Sequence, residues 1–252
     1  MRRSLPFSII AAVLVVFSIG GFLLFRAKTA PVAIKTAQGE PGAQPAQVRG
    51  GERATVTLEE FGDFQCPPCG ILSTTLLKVE KDYGERIRVI FREFPLTMHA
   101  HSMTAARAAE AAGLQGHFWE MHDTLFEHAM FWSKDPDATA PPTPALVVHA
   151  TPEDAARVLG IFTEYAGRVG LDVERFKKDM ESEPVESRIK ADQKRGVSIG
   201  IDRTPILLID GARIPFAKYN VEALHTIIDD ALAGKPPEGE PSPTPTPQPA
   251  VR

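Results

Sequence analysis

The chain has 252 residues, of which 43% are hydrophobic and 24% are charged, and its formal net charge at pH 7 is −4. This composition is typical of a globular protein with a hydrophobic core, and the length suits one large domain or two small ones. No cluster of Lys and Arg stands out, so no nucleic-acid partner is expected.

An uncharged apolar run from Leu5 to Phe25 follows the basic residues Arg2 and Arg3. A helix of this length spans roughly 31 Å, which is the thickness of a bilayer core. We therefore expect residues 1–25 to contact the membrane as a transmembrane anchor, with a cleaved signal peptide as the alternative. Both interpretations place the following domain outside the cytoplasm.

Two segments without hydrophobic periodicity border the predicted domain. Residues 26–50 are rich in Pro, Gly, Ala and Gln, and we interpret them as a flexible linker. Residues 236–252, PPEGEPSPTPTPQPAVR, form a Pro-rich tail that cannot build a core and is expected to be disordered. The folded domain is thus predicted to span residues 51–235.

The cysteines of the chain are Cys66 and Cys69, which follow a predicted strand over residues 54–64 and open a helix that continues to Tyr83. Two thiols at this spacing, at a strand-to-helix junction, can form and exchange a disulfide. Backbone amides and the dipole at the helix N-terminus favour the Cys66 thiolate, and Pro67 suits the first turn. A structural disulfide closing so small a loop adds little stability, and a zinc site would lack its second pair of ligands.

The remaining pattern indicates an α/β fold. A second strand is predicted over residues 86–94, which makes a βαβ unit with the strand and helix around the cysteines. A Pro-rich loop is expected over 134–151, a strand over 205–210 and a closing helix over 221–232. Further helices are predicted over residues 99–112, 117–130, 152–169, 173–180 and about 184–195.

Several separated motifs resemble those of one family. In chain order they are EFGDFQCPPCG, FREFPLTMHAHS, AARAAEAAGLQGHFWEMHDTLF, GLDVERFKKDM and RTPILLIDG. The sequence resembles the DsbA-like thiol–disulfide oxidoreductases over about residues 53–233, and most of all their membrane-anchored, extracytoplasmic branch. The resemblance implies a thioredoxin fold with a helical subdomain inserted at about residues 97–183.

The two cysteines and an acid before them are expected to have distinct roles. Cys66 is the more N-terminal thiol and lies nearer the exposed helix start, so it is expected to be the nucleophile, and Cys69, within the first turn, is expected to be the buried thiol that resolves mixed disulfides. The resemblance implies that Glu60 lies beneath the cysteines as a proton relay. Alternation along the strand places Glu60 on an apolar face, where its pKa would rise, and turns Glu59 toward solvent.

The substrate-facing residues are expected to be Pro67, Pro68, Thr204 and Pro205. The two prolines between the cysteines offer no amide and no imidazolium to the thiolate, so we expect a milder oxidant than relatives with a histidine there. The resemblance implies a cis Thr204–Pro205 bond, although statistics alone favour trans. Arg203 replaces a small residue usual in the family, which leaves the substrate preference open.

Five of the seven histidines, at positions 99, 101, 117, 122 and 128, raise the question of a metal site. His117 and His122 are five positions apart, so a straight helix would not point them in one direction. His99 and His101 suit polar or capping positions where a loop enters a helix. No metal ligand and no cofactor are predicted.

We expect an enzyme that forms disulfides in thiol-containing exported proteins and is reoxidised by a redox partner. The same groups could run as a reductase or isomerase, because the redox potential decides the direction. Two other functions compete with this hypothesis. One is a Cu(I)-handling protein that uses the two soft thiolates, and the other is a peptide-binding chaperone whose cysteines are incidental.

Overall fold

A computed structural model describes residues 35–134 and 150–239, together with Val15 and Ser18. The predicted anchor or signal peptide therefore lies outside the described residues apart from those two positions, as do most of the loop over 134–151 and the end of the tail. None of the helices in the described ranges is both long and apolar enough to cross a bilayer.

A mixed sheet with the strand order β1-β3-β2-β4-β5 organises the domain. Strands β2 and β3 are parallel, and β1 with β3, β2 with β4 and β4 with β5 are antiparallel. The strands are β1 (Gln47–Gly50), β2 (Val56–Gly62), β3 (Ile87–Glu93), β4 (Ile206–Ile209) and β5 (Ala212–Arg213).

The helices fill the connections of this sheet. In the described ranges they are α1 (Pro67–Tyr83), α2 (Ser102–Gly113), α3 (Phe118–Glu127), α4 (Ala129–Trp132), α5 (Pro152–Val169), α6 (Val173–Met180), α7 (Glu183–Ser198) and α8 (Val221–Leu232), with 3-10 turns at Gly84–Arg86 and Phe216–Lys218. Helix α1 joins β2 to β3, α2 to α7 lie between β3 and β4, and α8 closes the chain. This topology confirms the predicted thioredoxin fold with an inserted helical subdomain.

Local signals set the ends of these helices. Thr151 caps α5 by accepting a hydrogen bond from the Asp154 amide at 3.2 Å, and Gly170 ends that helix in the left-handed conformation (φ 86°). Helix α1 ends where predicted, before Gly84, whose φ of 54° is unfavourable for other residues.

The central strand β2 is buried on both faces. Val56 and Leu58 pack with apolar side chains of α1 and α8 on one face, whereas Phe61 packs with Phe94 and Ile199 on the other. The inserted helices have a further core, in which the alanines of α2 permit close helix packing. Trp132 is fully buried there, while its neighbour Phe131 is 60% exposed.

The prediction of a flexible linker over 26–50 is wrong for residues 35–50. Residues 47–50 form β1, and the Ala43 amide donates to the Asp192 carboxylate at 2.8 Å. The Arg195 guanidinium donates to the carbonyl of Glu40 at 2.6 Å. The segment lacks periodicity because long-range polar contacts, rather than an apolar face, attach it to the domain.

Candidate active site

The cysteine pair lies where β2 ends and α1 begins. Cys66 has an extended backbone (φ −79°, ψ 116°) and occupies the N-cap position of α1, and prolines fill the first helical turn. The Cys66 amide donates to the Asp63 carbonyl at 3.0 Å, and the Cys69 amide donates to the Cys66 carbonyl at 3.0 Å. Both thiols are free, so the structure represents the reduced dithiol.

The two thiols differ in access and acidity. Cys66 is 6% exposed and Cys69 is fully buried. A hydrogen bond from Cys69 lowers the pKa of Cys66 to about 6, against the opposing effect of burial. Burial raises the pKa of Cys69 well above its usual value, and Cys66 adds to this increase. At neutral pH one thiol is therefore a nucleophilic thiolate and the other holds its proton.

Thr204 contributes more to this site than the backbone groups predicted for it. The Thr204–Pro205 peptide bond is cis, and the Cys66 thiol lies 3.6 Å from the Thr204 carbonyl oxygen. The Thr204 hydroxyl is buried and has no hydrogen-bond partner among the described residues. The Thr204 side chain also lowers the pKa of Cys66, and its effect is smaller than that of Cys69. An unpaired donor is suited to a sulfur that becomes an acceptor when it ionises.

Glu60 lies on the face of β2 that carries Leu58, as alternation predicts, and is 1% exposed. Its Oε1 atom has no hydrogen-bond partner in the described ranges. Burial raises the pKa of Glu60 to about 8, with further contributions from Cys66 and Glu80. The carboxyl group is therefore protonated at pH 7 and interacts electrostatically with both cysteines.

The prediction that Glu59 faces solvent is wrong, because its side chain is buried at 1% exposure. Its carboxylate accepts hydrogen bonds from Arg92 Nε at 2.9 Å and from Arg195 Nε at 2.7 Å. A second Arg195 bond reaches the other oxygen at 2.8 Å. These partners stand on β3 and α7, so alternation within β2 gave no sign of them.

A second polar group beside Cys66 is centred on Asp63, which the sequence analysis did not single out. Its carboxylate accepts hydrogen bonds from the Gln65 amide at 2.8 Å, the Leu96 amide at 2.9 Å and the Ser102 hydroxyl at 2.8 Å. The His99 ring also contacts it, with Nδ1 at 2.8 Å from Oδ2. The signal that could have found this group is its position three residues before Cys66.

A groove of about 410 Å³ opens beside the cysteines. Three of the four residues predicted to face the substrate line it, namely Pro68, Thr204 and Pro205, together with the 64% exposed Phe216. Pro67 is exposed but does not line the groove.

The histidines have ordinary polar partners. His117 pairs with Glu120 at 3.5 Å and His122 with Asp123 at 2.8 Å. No three His, Cys, Asp or Glu side chains within the described ranges are grouped so that they could hold a metal ion.

Comparison with known proteins identifies similar chains. A family model described as Thioredoxin matches residues 43–230. Oxidised BdbD from Bacillus subtilis has 25% identity and a TM-score of 0.58, over 79% of this chain and 100% of that one. A thioredoxin-like oxidoreductase from Silicibacter pomeroyi DSS-3 has 27% identity and a TM-score of 0.56, over 75% of this chain and 92% of that one.

A relative of another kind is the Na(+)/H(+) antiporter NhaA 1 of Salinispora arenicola, which is 35% identical over 188 residues. The match covers 74% of this chain and 25% of the antiporter. The chain therefore spans about a quarter of the length of the antiporters it matches.

Proposed function

Because this chain belongs to the thioredoxin family, among the DsbA-like thiol–disulfide oxidoreductases, we propose that it forms disulfide bonds in protein substrates outside the cytoplasm. The observation that carries the proposal is the contrast between the two thiols. The acidic Cys66 favours the reduced dithiol, and an enzyme whose reduced form is stabilised is an oxidant.

The first step breaks the enzyme disulfide. A substrate thiolate attacks Sγ of Cys66, a mixed disulfide forms and Cys69 leaves as a thiolate. Because burial raises the pKa of Glu60 to about 8, its carboxyl group holds a proton at pH 7, gives it to Cys69 and is then reprotonated with a proton released by the substrate thiols. A neutral thiol at this fully buried position avoids the cost of an unpaired charge.

The second step releases the product. Another substrate thiolate attacks the substrate sulfur of the mixed disulfide, and Cys66 leaves as a thiolate. Two electrons have then passed from the substrate dithiol to the enzyme pair. The leaving sulfur is stabilised by its hydrogen bond with Cys69 and by the unpaired Thr204 hydroxyl. A redox partner that accepts two electrons returns the pair to the disulfide.

The groove beside the cysteines suits an extended thiol-containing peptide. Pro68, Thr204 and Pro205 line the groove and the Thr204 carbonyl oxygen lies 3.6 Å from the Cys66 thiol, so a chain in the groove passes close to Cys66. Exposed apolar surface at Phe216 favours unfolded substrates, whose apolar side chains are accessible. Pro67, at the exposed start of α1, would contact the substrate above the groove.

The extracytoplasmic location rests on the apolar run that precedes the domain and on the oxidising chemistry, since disulfides persist in oxidising compartments. Ion transport is not part of this proposal.

Trapping of mixed disulfides tests the assignment. Cys69→Ser should accumulate complexes with client proteins that carry a disulfide, because the Cys66 thiolate attacks one sulfur of that disulfide, the other client sulfur leaves as a thiolate, and no resolving thiol remains on the enzyme. Cys66→Ser should accumulate almost none, because Cys69 is buried and protonated. The measurement is non-reducing electrophoresis, with oxidative refolding of a reduced substrate run in parallel to establish the direction. Equal trapping by the two variants would contradict the roles given to the thiols.

A further inference from the structure

His99 and Asp63 form a pair near Cys66 that the steps above do not use. The His99 Nδ1 atom lies 2.8 Å from Asp63 Oδ2. A carboxylate accepts hydrogen bonds, so Nδ1 carries the proton and donates it. The other ring nitrogen, Nε2, makes no hydrogen bond within the described ranges. The His99 side chain is 19% exposed and that of Asp63 is fully buried.

The same turn presents the Cys66 thiol and orients the His99 ring. The Asp63 carboxylate is fixed by the Gln65 and Leu96 amides and by the Ser102 hydroxyl, so it has little freedom. The Asp63 carbonyl accepts the Cys66 amide at 3.0 Å. An imidazole held on this carboxylate is therefore placed by the backbone turn that positions the nucleophile.

The groups around Cys66 include one carboxylate and one side chain that can carry a positive charge. The titratable groups that face it are Cys69 on α1, Glu60 on β2, Asp63 in the turn and His99 in the loop before α2. Cys69 and Glu60 are neutral at pH 7, and the Asp63 carboxylate opposes the ionisation that the hydrogen bond from Cys69 favours. Burial lowers the pKa of His99, but the Asp63 bond and the charges of Asp63 and Cys66 outweigh it and leave that pKa raised.

We propose that the His99 imidazolium, oriented by Asp63, is the electrostatic partner of the Cys66 thiolate and supplies the positive charge that two prolines between the cysteines cannot. This inference rests on the proposed function. It also accounts for the second proton of the reaction. Oxidation of a substrate dithiol releases two protons and two electrons. One proton reaches Cys69 through Glu60, and His99 binds the other as Cys66 becomes a thiolate.

The test uses three variants of the reduced protein. His99→Gln keeps a donor for Asp63 but removes the charge, and His99→Lys keeps a cation. His117→Gln is the matched control, because that histidine pairs with Glu120 on α3 and does not interact with Cys66. The Cys66 thiolate is titrated by its ultraviolet absorbance, and the equilibrium with glutathione is measured for each variant.

We expect His99→Gln to raise the apparent pKa of Cys66 by about one unit, which is the lower end of the effect of a neighbouring charge. At pH 7 the equilibrium with glutathione should shift about fivefold toward the disulfide, or roughly 20 mV for this two-electron couple. His99→Lys should restore most of both values, and His117→Gln should match the parent. An unchanged titration in His99→Gln, or a lysine variant that behaves like the glutamine variant, would overturn the inference.

A reciprocal measurement separates charge from structure. Linkage requires that the pKa of His99, followed by NMR, is higher in the reduced than in the oxidised parent. In Cys66→Ser, which has no thiolate at this position, the pKa of His99 should match that of the oxidised parent, and a pKa that is the same in the reduced and oxidised parent would refute the pairing. If refolding shows no oxidase activity, these titrations still test the inference. If mixed disulfides are trapped as expected but the His99→Gln titration is unshifted, the inference is wrong and the proposed function stands. If the glutamine variant does not fold, His99→Asn takes its place.

Discussion

Glu59 and Glu60 are neighbours on β2, are equally buried and differ in every other respect. The Glu59 side chain faces α7 and is held by Arg92 and Arg195. The Glu60 side chain faces the opposite side of the sheet, and its Oε1 atom lacks a hydrogen-bond partner in the described part of the chain. One strand thus carries a paired carboxylate on one face and a neutral carboxylic acid on the other.

The difference shows that partners, rather than depth of burial, decide what a buried acid does. Two guanidinium groups offset the cost of removing the Glu59 charge from water, so this residue joins β2 to β3 and α7. Among the described residues Glu60 forms no salt bridge, and burial holds its proton until the pH approaches 8. A group that exchanges a proton near neutral pH suits acid–base chemistry beneath a thiol pair.

The largest expected effect comes from removing the Glu59 carboxylate, which is paired with two arginines. Glu59→Gln leaves Arg195 buried without a carboxylate and should lower the free energy of unfolding by about 3–5 kcal/mol. Urea denaturation measures the loss. Glu174→Gln is the control, because its ion pair with Lys177 is exposed and should contribute no more than about 1 kcal/mol. Equal losses in the two variants would mean that the Glu59 cluster is not a structural centre.

Glu60→Gln should have a smaller effect of the opposite sign. The unfolded chain loses the Glu60 proton above about pH 4.5, whereas the folded protein keeps it to about pH 8. Its contribution to the free energy of unfolding therefore falls as the pH rises through this window. The variant should be more stable than the parent by about 3 kcal/mol at pH 7 and nearly equal to it at pH 4, as urea denaturation would measure.

The same variant tests the proton relay. Without the carboxyl group, formation of the mixed disulfide from the oxidised enzyme at pH 7 should slow by about 10²-fold, a typical loss when a general acid–base group is removed. Rapid-quench trapping of the mixed disulfide measures the rate. An unchanged rate would leave Glu60 as a buried acid without a role in the chemistry, and a variant less stable than the parent at pH 7 would contradict its protonation.

Sequence reasoning found the parts of the fold that local patterns determine. The bounds of α5, α6 and α8 agree with the predicted helices, because caps and a 3.6-residue period mark them. Alternation placed Glu60 correctly, since neighbouring apolar residues on β2 share its face. The roles given to the cysteine pair and to Glu60 remain predictions.

The errors came from contacts between distant residues. Arg92 and Arg195 are 33 and 136 positions from Glu59, so nothing in its local sequence showed that it is buried and paired. The same two arginines donate to the carbonyls of Ala43 and Glu40 and so attach residues 35–50 to the domain, and β1 has only four residues to indicate a strand. The Asp63–His99 pair also joins segments that are 36 positions apart.

The equilibrium of the Cys66–Cys69 pair with glutathione tests the central claim most directly. Because Cys66 is acidic and Cys69 is not, the reduced form should be favoured, and the pair should titrate as one two-electron couple. We expect a potential more oxidising than about −200 mV, in the range of disulfide-forming enzymes. A potential near or below about −270 mV, as in thioredoxin, would contradict the account and identify a reductase.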